Sequence, residues 1–502
     1  MKLLLPAVFA VLAVASVATW LTMPGAASDV PVILWVTDKN PARDRQVDIF
    51  HDWLVEQGYT TEGGTKAVEL RLDMGNAEQT KKIIHSVSGV AGDLMDQYNG
   101  GNIRLLQAMG VLRPVDDAAA ELGFGLDATY PALEPELFVD GQQYAFPANV
   151  VAHMLWVNRA TFRDVGMRPP PARWTVEEFE RIGERWVERA NAGRPRRDRF
   201  FVESLAPETL YRSMGLSRFN ETMTATNYTD PRYADALRLL YRWTYELHLM
   251  PSASEQSAFA TEAGYGGGGP QLFYRGNYAM MRSGRYMLIQ FRKFEEPMDL
   301  AVSEPPHAGF PNTSMGTRCV TLYRGSDHPR EAAWFLQYLA SEAYNMQIVR
   351  DADALPPNPK YVELDLFKYP PEHPNEWDAE TGQSVHTAFS TAAITLGIGG
   401  AYSPFVLPAV VGRIEGEQRD KFMNDLLTAE QAAAETKRLV EAELQRSLTE
   451  QPKLRPRYEK LLLQQAEIDR LKAEGKPIPA GLVTNPFYKR YYAEQGMLAT
   501  EE

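Results

Sequence analysis

The residues best placed to do chemistry are polar groups at the ends of short apolar runs. Asp38 follows the apolar run 30–36, where a carboxylate can accept from two hydroxyls or cap the turn that follows. Asn76 and Glu78 open a helical segment, and Asn76 reads either as a ligand group or as a helix cap. Asp96, Gln97, Tyr98 and Asn99 follow a strand end, the position at which open α/β sheets bind ligands. Asn149 and His153 sit at or just past a crossing point in the chain, with His153 expected first as a core residue. Tyr265 stands in the glycine-rich stretch 264–269, which either lets a backbone approach a ring closely or simply turns. Arg318 follows Gly316 on an apparent edge and reads as a ligand group or a surface charge.

These groups suit hydrogen bonding better than bond breaking. The chain has no Gly-x-Ser-x-Gly elbow and no His-Glu-x-x-His pair. Its one cysteine, Cys319, has no nucleophile context and is expected to be a buried small apolar residue. The 8 histidines are scattered, with none paired at ligand spacing, so no metal or cofactor is expected. Residues 264–269 lack the lysine and hydroxyl of a phosphate loop.

A net charge of -13 argues against nucleic acid, whose phosphates need a basic surface. It also disfavours an anionic substrate, unless a local basic pocket overrides the total. With 502 residues, 44% hydrophobic and 23% charged, the chain is too long for one ordinary core and is expected to form two lobes with an appendage. Residues 1–28 combine one lysine, an uncharged apolar run and small residues before Asp29. They read as a signal peptide or as an N-terminal membrane anchor, with 3–23 long enough to span a bilayer. Either reading puts residue 30 onward outside the cytoplasm. No cysteine lies near the segment to accept lipid.

The elements that must position these residues alternate. Strand patterns at 30–36, 68–72 and 92–96 are separated by helical patterns at 44–57 and 78–87, the rhythm of a parallel α/β sheet. Residues 141–147 read as turn and strand, and 152–157 as a further strand. Thr175 and Glu178 form a capping box ahead of Phe179, Ile182 and Trp186, and Thr428 with Gln431 forms a second. Helices are expected at 230–249, 327–349, 428–444 and 458–473, with Trp243 and Trp334 in the core, and residues 194–199 as a solvated basic loop. From residue 449 the composition turns polar and proline-punctuated, marking a C-terminal extension.

Taken in order, several segments resemble the family 1 extracellular solute-binding proteins of ABC importers, the group that includes maltose-binding protein. They are 35–38 (W-V-T-D), 92–96 (G-D-L-M-D), 140–147 (D-G-Q-Q-Y-A-F-P) and 155–162 (L-W-V-N-R-A-T-F). Residues 170–179, 273–280 (F-Y-R-G-N-Y-A-M) and 323–333 continue the series, which spans about residues 31 to 448. Segment 188–228 matches poorly, and Arg285-Tyr286 stands where the family carries a tryptophan.

The resemblance implies an α/β fold of two lobes, hinged around an interlobe ligand cleft, with a C-terminal helical appendage. Lobe one would hold 31–147 and 300–352, lobe two 148–299 and 354–448, and the extension 449–502. It implies a sugar or oligosaccharide ligand, permease partners, a monomer, and location in the periplasm or otherwise outside the cytoplasm. Arg282 and Tyr286 then occupy the segment where the family presents a stacking aromatic. An exported carbohydrate-active hydrolase or lyase, with two carboxylates across the cleft, is the competing expectation. A sensory binding protein, or a binder of a polyamine, metal complex or peptide, would keep the fold and change the role.

Overall fold

The computed structural model describes residues 30–259 and 268–499. The segment 1–28, expected to be a signal or an anchor, and Tyr265 lie outside them. Among the described residues no helix is long and apolar enough to cross a membrane.

The strands, in chain order, are β1 (Val32–Val36), β2 (Glu69–Asp73), β3 (Leu94–Gln97), β4 (Phe138–Val139), β5 (Gln142–Gln143) and β6 (Ala145–Ala152). They continue as β7 (Met154–Asn158), β8 (Phe200–Val202), β9 (Tyr278–Ser283), β10 (Leu300–Ser303), β11 (Thr313–Leu322) and β12 (Gly397–Ile398). The first sheet runs β12-β11-β3-β1-β2, with β6 also paired to β11. Its β1, β2 and β3 are mutually parallel, as the alternating strand and helix patterns predict, and β11 is antiparallel to both β3 and β6. The second sheet runs β10-β7-β9-β8.

Strand alternation covers both faces of each sheet. In β1, Ile33 and Trp35 enter a core with Phe50, Trp53, Phe335 and Tyr338, while Val36 joins Met95, Ile103 and Leu106 on the other face. In β7, Leu155 and Val157 join the second lobe's core with Phe179, Trp186 and Trp243, while Met154 and Trp156 join the cluster that holds Val36. One apolar cluster therefore continues from one lobe into the other along the same side of both sheets.

Among the described residues two crossings link the sheets and a third leaves the first sheet for the helices beyond it. A single residue, His153, separates β6 from β7. The second crossing lies between β10 and β11. The third follows the helix Glu342–Asp351, where Leu355 bridges to Val150 of β6. The chain then covers the junction with the helix Val385–Thr395, whose Phe389 packs 4.8 Å from the Trp156 ring. Beyond β12 it enters the second lobe's helices Pro408–Met423 and Ala429–Glu450.

The structure corrects three expectations. Residues 300–303, placed in lobe one from sequence, form β10 and pair antiparallel with β7 of the second sheet. A four-residue apolar strand carries no mark of which sheet completes its ladder. The helix expected at 327–349 is two helices, Pro329–Ala340 and Glu342–Asp351, because Ser341 leaves helical geometry and caps the second by accepting from the Tyr344 amide. The helix expected at 230–249 stops at Tyr241 and widens into a π-turn over Arg242–Glu246, which swings Trp243 inward to donate to Glu180 at 2.8 Å. Both capping boxes form, and Cys319 is buried.

Candidate functional site

The carboxyl ends of β1 and β3 lie side by side in the parallel sheet, so Thr37-Asp38 and Asp96-Gln97-Tyr98 emerge together. Asp96 is buried and accepts from Trp35 Nε1 (2.7 Å), Thr37 Oγ1 (2.6 Å) and Arg318 Nη1 (3.0 Å). Arg318 also donates to the Tyr344 hydroxyl at 3.1 Å and lies 3.5 Å from Asp353. Asp353, on the third crossing, further accepts from Arg43 Nη1 and Asn149 Nδ2, each at 3.0 Å. Arg43 closes the chain of contacts onto Asp38 at 3.0 Å. Asp96, Asn149 and Arg318, candidates from sequence, thus come together as an internally bonded frame. Two guanidinium groups pair with three carboxylates inside the first lobe, leaving one negative charge in excess, and pairing of this kind is how buried charges are tolerated.

Asp38 and Tyr98 form the accessible rim of that frame. The Asp38 side chain is 22% exposed. Burial raises its pKa, but Arg43 and Arg318 pull it further down, so the group is held below the usual carboxylate range. Tyr98 is 45% exposed, donates its hydroxyl to Asp38 at 3.0 Å, and lies 5.6 Å under the Lys82 ammonium. Gln97 is buried, and both its side-chain amide atoms lack a partner among the described residues. Three other polar residues act locally. Asn76 donates to Asp73 at 2.7 Å, the exposed Glu78 occupies the N-cap position of the helix Gln79–Val87, and Asn99 caps the helix Gly100–Ala108.

A second group gathers at the crossings. His153, Glu208, Thr209, Arg212, Arg282 and Ser314 line a cavity of about 210 Å³ whose walls come from both sheets and the link between them. Arg282, on β9, donates to Ser314 Oγ of β11 at 2.8 Å. His153 Nδ1 lies 3.2 Å from the Ser314 carbonyl oxygen, and burial together with the adjacent Arg282 pushes its pKa down to about 4. Burial lowers the Arg282 pKa. Burial raises that of Glu208, but Arg218 and Arg212 bring it below the ordinary value. Tyr286, beyond the end of β9, is half-buried and accepts from Ser283 Oγ at 2.9 Å.

A larger cavity, about 700 Å³, opens between lobe-one residues 131–141, the linker 397–402 and the extension. Its floor is tied by the buried Glu136, which accepts from the Gly100 amide (2.5 Å), the Gly400 amide (2.9 Å) and the Tyr402 hydroxyl (3.1 Å). No side chain can replace the hydrogen at Gly100, because a Cβ there would meet the Pro135 carbonyl oxygen at 2.5 Å.

Sequence reasoning missed Arg43, Asp353, Glu208 and Arg212. Arg43 carried a signal, since it and Gln46 continue the buried helical face of Phe50, Trp53 and Leu54. Asp353 carried none, as its partners lie 310, 204 and 35 residues away.

A family model described as bacterial extracellular solute-binding protein matches residues 58–375. No curated protein matches the sequence. Among solved structures, an ABC substrate-binding protein of Listeria monocytogenes in complex with cycloalternan aligns with a TM-score of 0.66 and 17% identity, covering 82% of this chain and 98% of that one. A solute-binding protein of Thermotoga lettingae bound with alpha-D-tagatose aligns at 0.64 and 14%, covering 82% and 100%. The maltose/maltodextrin-binding domain of Bdellovibrio bacteriovorus bound to maltotriose aligns at 0.62 and 16%, covering 82% and 100%. At these identities the likeness is one of fold: two lobes, mixed α/β, here with extra C-terminal helices.

Proposed function

The chain belongs to the bacterial extracellular solute-binding proteins, and on that premise we propose that it captures a sugar or oligosaccharide between its lobes and delivers it, chemically unaltered, to the permease of an ABC importer. The family works outside the cytoplasm. The observation that carries the reading is a polar cavity walled by both sheets and by the residue that links them. A ligand held there touches both lobes and so favours one hinge state over another, which is the thermodynamic requirement for a binding signal that a transporter can read.

Four residues are assigned to the ligand, of which Arg282 lines this cavity. Asp38 accepts from hydroxyls, Tyr98 and Tyr286 offer ring faces to apolar C–H surfaces, and Arg282 donates from the lobe-two side. Arg43 holds Asp38 in place, and Asp96, Asn149 and Arg318 connect to that contact through Asp353. The structural relatives bound to cycloalternan, tagatose and maltotriose support carbohydrate as the ligand class.

The test is a thermal-shift and calorimetric screen of mono- and oligosaccharides, polyamines and peptides, with bound ligand recovered and identified. A carbohydrate should raise the melting temperature and return unchanged. If a polyamine or peptide shifts the melting point and no carbohydrate does, the ligand class is wrong. Recovery of a cleaved sugar would point to an enzyme.

A further inference from the structure

The cavity at the crossings carries more positive charge than a neutral ligand requires. Among the described residues Arg282 makes one hydrogen bond, from Nη2 to Ser314 Oγ at 2.8 Å. Its Nε is sealed from solvent and has no partner among the described residues, and no described carboxylate lies within ion-pair distance of it. Arg212, on the same wall, reaches the Gly399 carbonyl oxygen at 3.2 Å. The one carboxylate on the wall is Glu208, which lies 2.9 Å from Arg218 and 3.7 Å from Arg212. Arg218 is shared with Glu415 at 3.2 Å. The group therefore sets three guanidinium ions against two carboxylates, and Arg282 is the one without a direct ion pair, with Glu208 attracting it only from beyond ion-pair distance. His153 adds no charge near neutral pH.

An enclosed guanidinium without a direct ion pair is costly. The family's task supplies a reason to keep it: a ligand that brings the missing negative charge. Resting on the reading of the interlobe cavity as the sugar site, we propose that it receives an acidic sugar unit, a uronate-type carboxylate, with Arg282 as counter-ion. A planar carboxylate matches the guanidinium fork, and the hydroxyls of Ser314 and Thr209 serve its second oxygen and the ring. A cavity of about 210 Å³ suits one terminal ring of a longer ligand whose remainder extends along the cleft. The overall charge of -13 does not oppose this, because the local potential in a low-dielectric cleft is set by the groups that line it.

The full chain is titrated with maltose and maltotriose, with digalacturonate and trigalacturonate, and with glucose 1-phosphate. Each titration is run for the natural protein, Arg282→Gln and Ser314→Ala. A uronate should bind at least tenfold tighter than the neutral sugar of the same length. Arg282→Gln should lose at least tenfold in uronate affinity while its ligand-free melting temperature holds or rises, since the replacement removes a buried charge. Ser314→Ala should lose less. The inference is overturned, with the sugar reading intact, if a neutral sugar binds as tightly as either uronate or if folded Arg282→Gln binds uronate unchanged. Preference for glucose 1-phosphate overturns the carboxylate assignment. If none of these sugars binds the folded protein, the sugar reading itself falls, and this inference falls with it.

Discussion

Asp353 reaches three partners at once, Arg43 and Asn149 at 3.0 Å and Arg318 at 3.5 Å. Each guanidinium also holds a second carboxylate, Asp38 for Arg43 and Asp96 for Arg318. Pairs of this kind contribute little net stability compared with an apolar core of the same shape, but removing one member strands the others. Asp353→Asn keeps the volume and takes away the charge. It should destabilise the protein by about 3 kcal/mol, measured by urea unfolding. It should also weaken ligand binding, because Arg43 is left to pull Asp38 alone. An unchanged urea midpoint would show that the frame does not depend on this carboxylate.

At the scale of elements, the third crossing is gripped from both lobes. Lobe one holds Asp353, while lobe-two Arg285 donates to the Ala354 carbonyl oxygen at 2.7 Å. Ala352 and Ala354 both adopt left-handed backbone conformations, with φ of 57° and 64°. For residues with a Cβ this costs about 1–2 kcal/mol each, a strain that the two grips maintain. Arg285 is set by His386 on the helix Val385–Thr395. His386 Nδ1 accepts from Arg285 Nε at 2.8 Å, so its Nε2 carries the hydrogen that faces Glu376 at 2.9 Å. Arg292 holds Glu376 through two bonds of 2.8 Å.

Burial and the neighbouring Arg285 depress the His386 pKa to about 4. For Glu376, burial acts upward, but the bonds from Arg292 and His386 bring its pKa down to about 2. Both shifts have the same sign for stability. Between pH 6.5 and 4 the unfolded chain binds a proton at His386 that the folded chain refuses, and between 4.5 and 2 the same holds at Glu376. The contribution of this pair to stability should therefore fall as pH drops through 6.5 towards 4 and fall further below 4.5, while Glu203, raised by burial to about 7, acts in the opposite direction between 7 and 4.5. His386→Gln, which keeps an acceptor for Arg285, should flatten part of the first decline. His51 and His153, also depressed to about 4, contribute with the same sign, as do His248, His307 and His373, which burial lowers. An identical melting-temperature profile in the variant would remove His386 from this account.

Across the whole molecule, the C-terminal extension is built onto the crossings. Its helices Arg455–Ala473 and Pro486–Glu494 share a core with Phe310 of the second crossing and Ile398 of β12. Phe487 and Tyr491 pack on Phe310 at 5.6 and 5.0 Å, and Arg490 donates to the Gly397 carbonyl oxygen at 3.0 Å. Lys472 and Gln465 hold Glu221 of lobe two at 2.7 and 2.8 Å, while Arg457 pairs with Asp140 of lobe one. The tail is thus fastened where the lobes meet and is part of the folded body. Phe487→Ala should cost about 3–5 kcal/mol and lower the main melting transition. If the mutation only hastens proteolysis after Glu450 and leaves that transition alone, the extension folds as a separate unit.

Wherever the physics is local, the amino-acid order determined the outcome. Capping boxes at Thr175 and Thr428 close within four residues, β-branched runs became strands, and alternation put Trp35 on one face and Val36 on the other. The family motifs, read in order, were sufficient for the two-lobed architecture. The tertiary structure alone decided which polar residues meet. Asp96 and Arg318, both read as ligand groups, are 222 residues apart and satisfy each other, while Arg282 has no carboxylate within ion-pair distance among the described residues. It also decided that β10 completes the second sheet and that the tail clasps the hinge. The reason is that charge pairing and ladder completion depend on distance in space, and no local pattern records which distant group burial will bring within 3 Å.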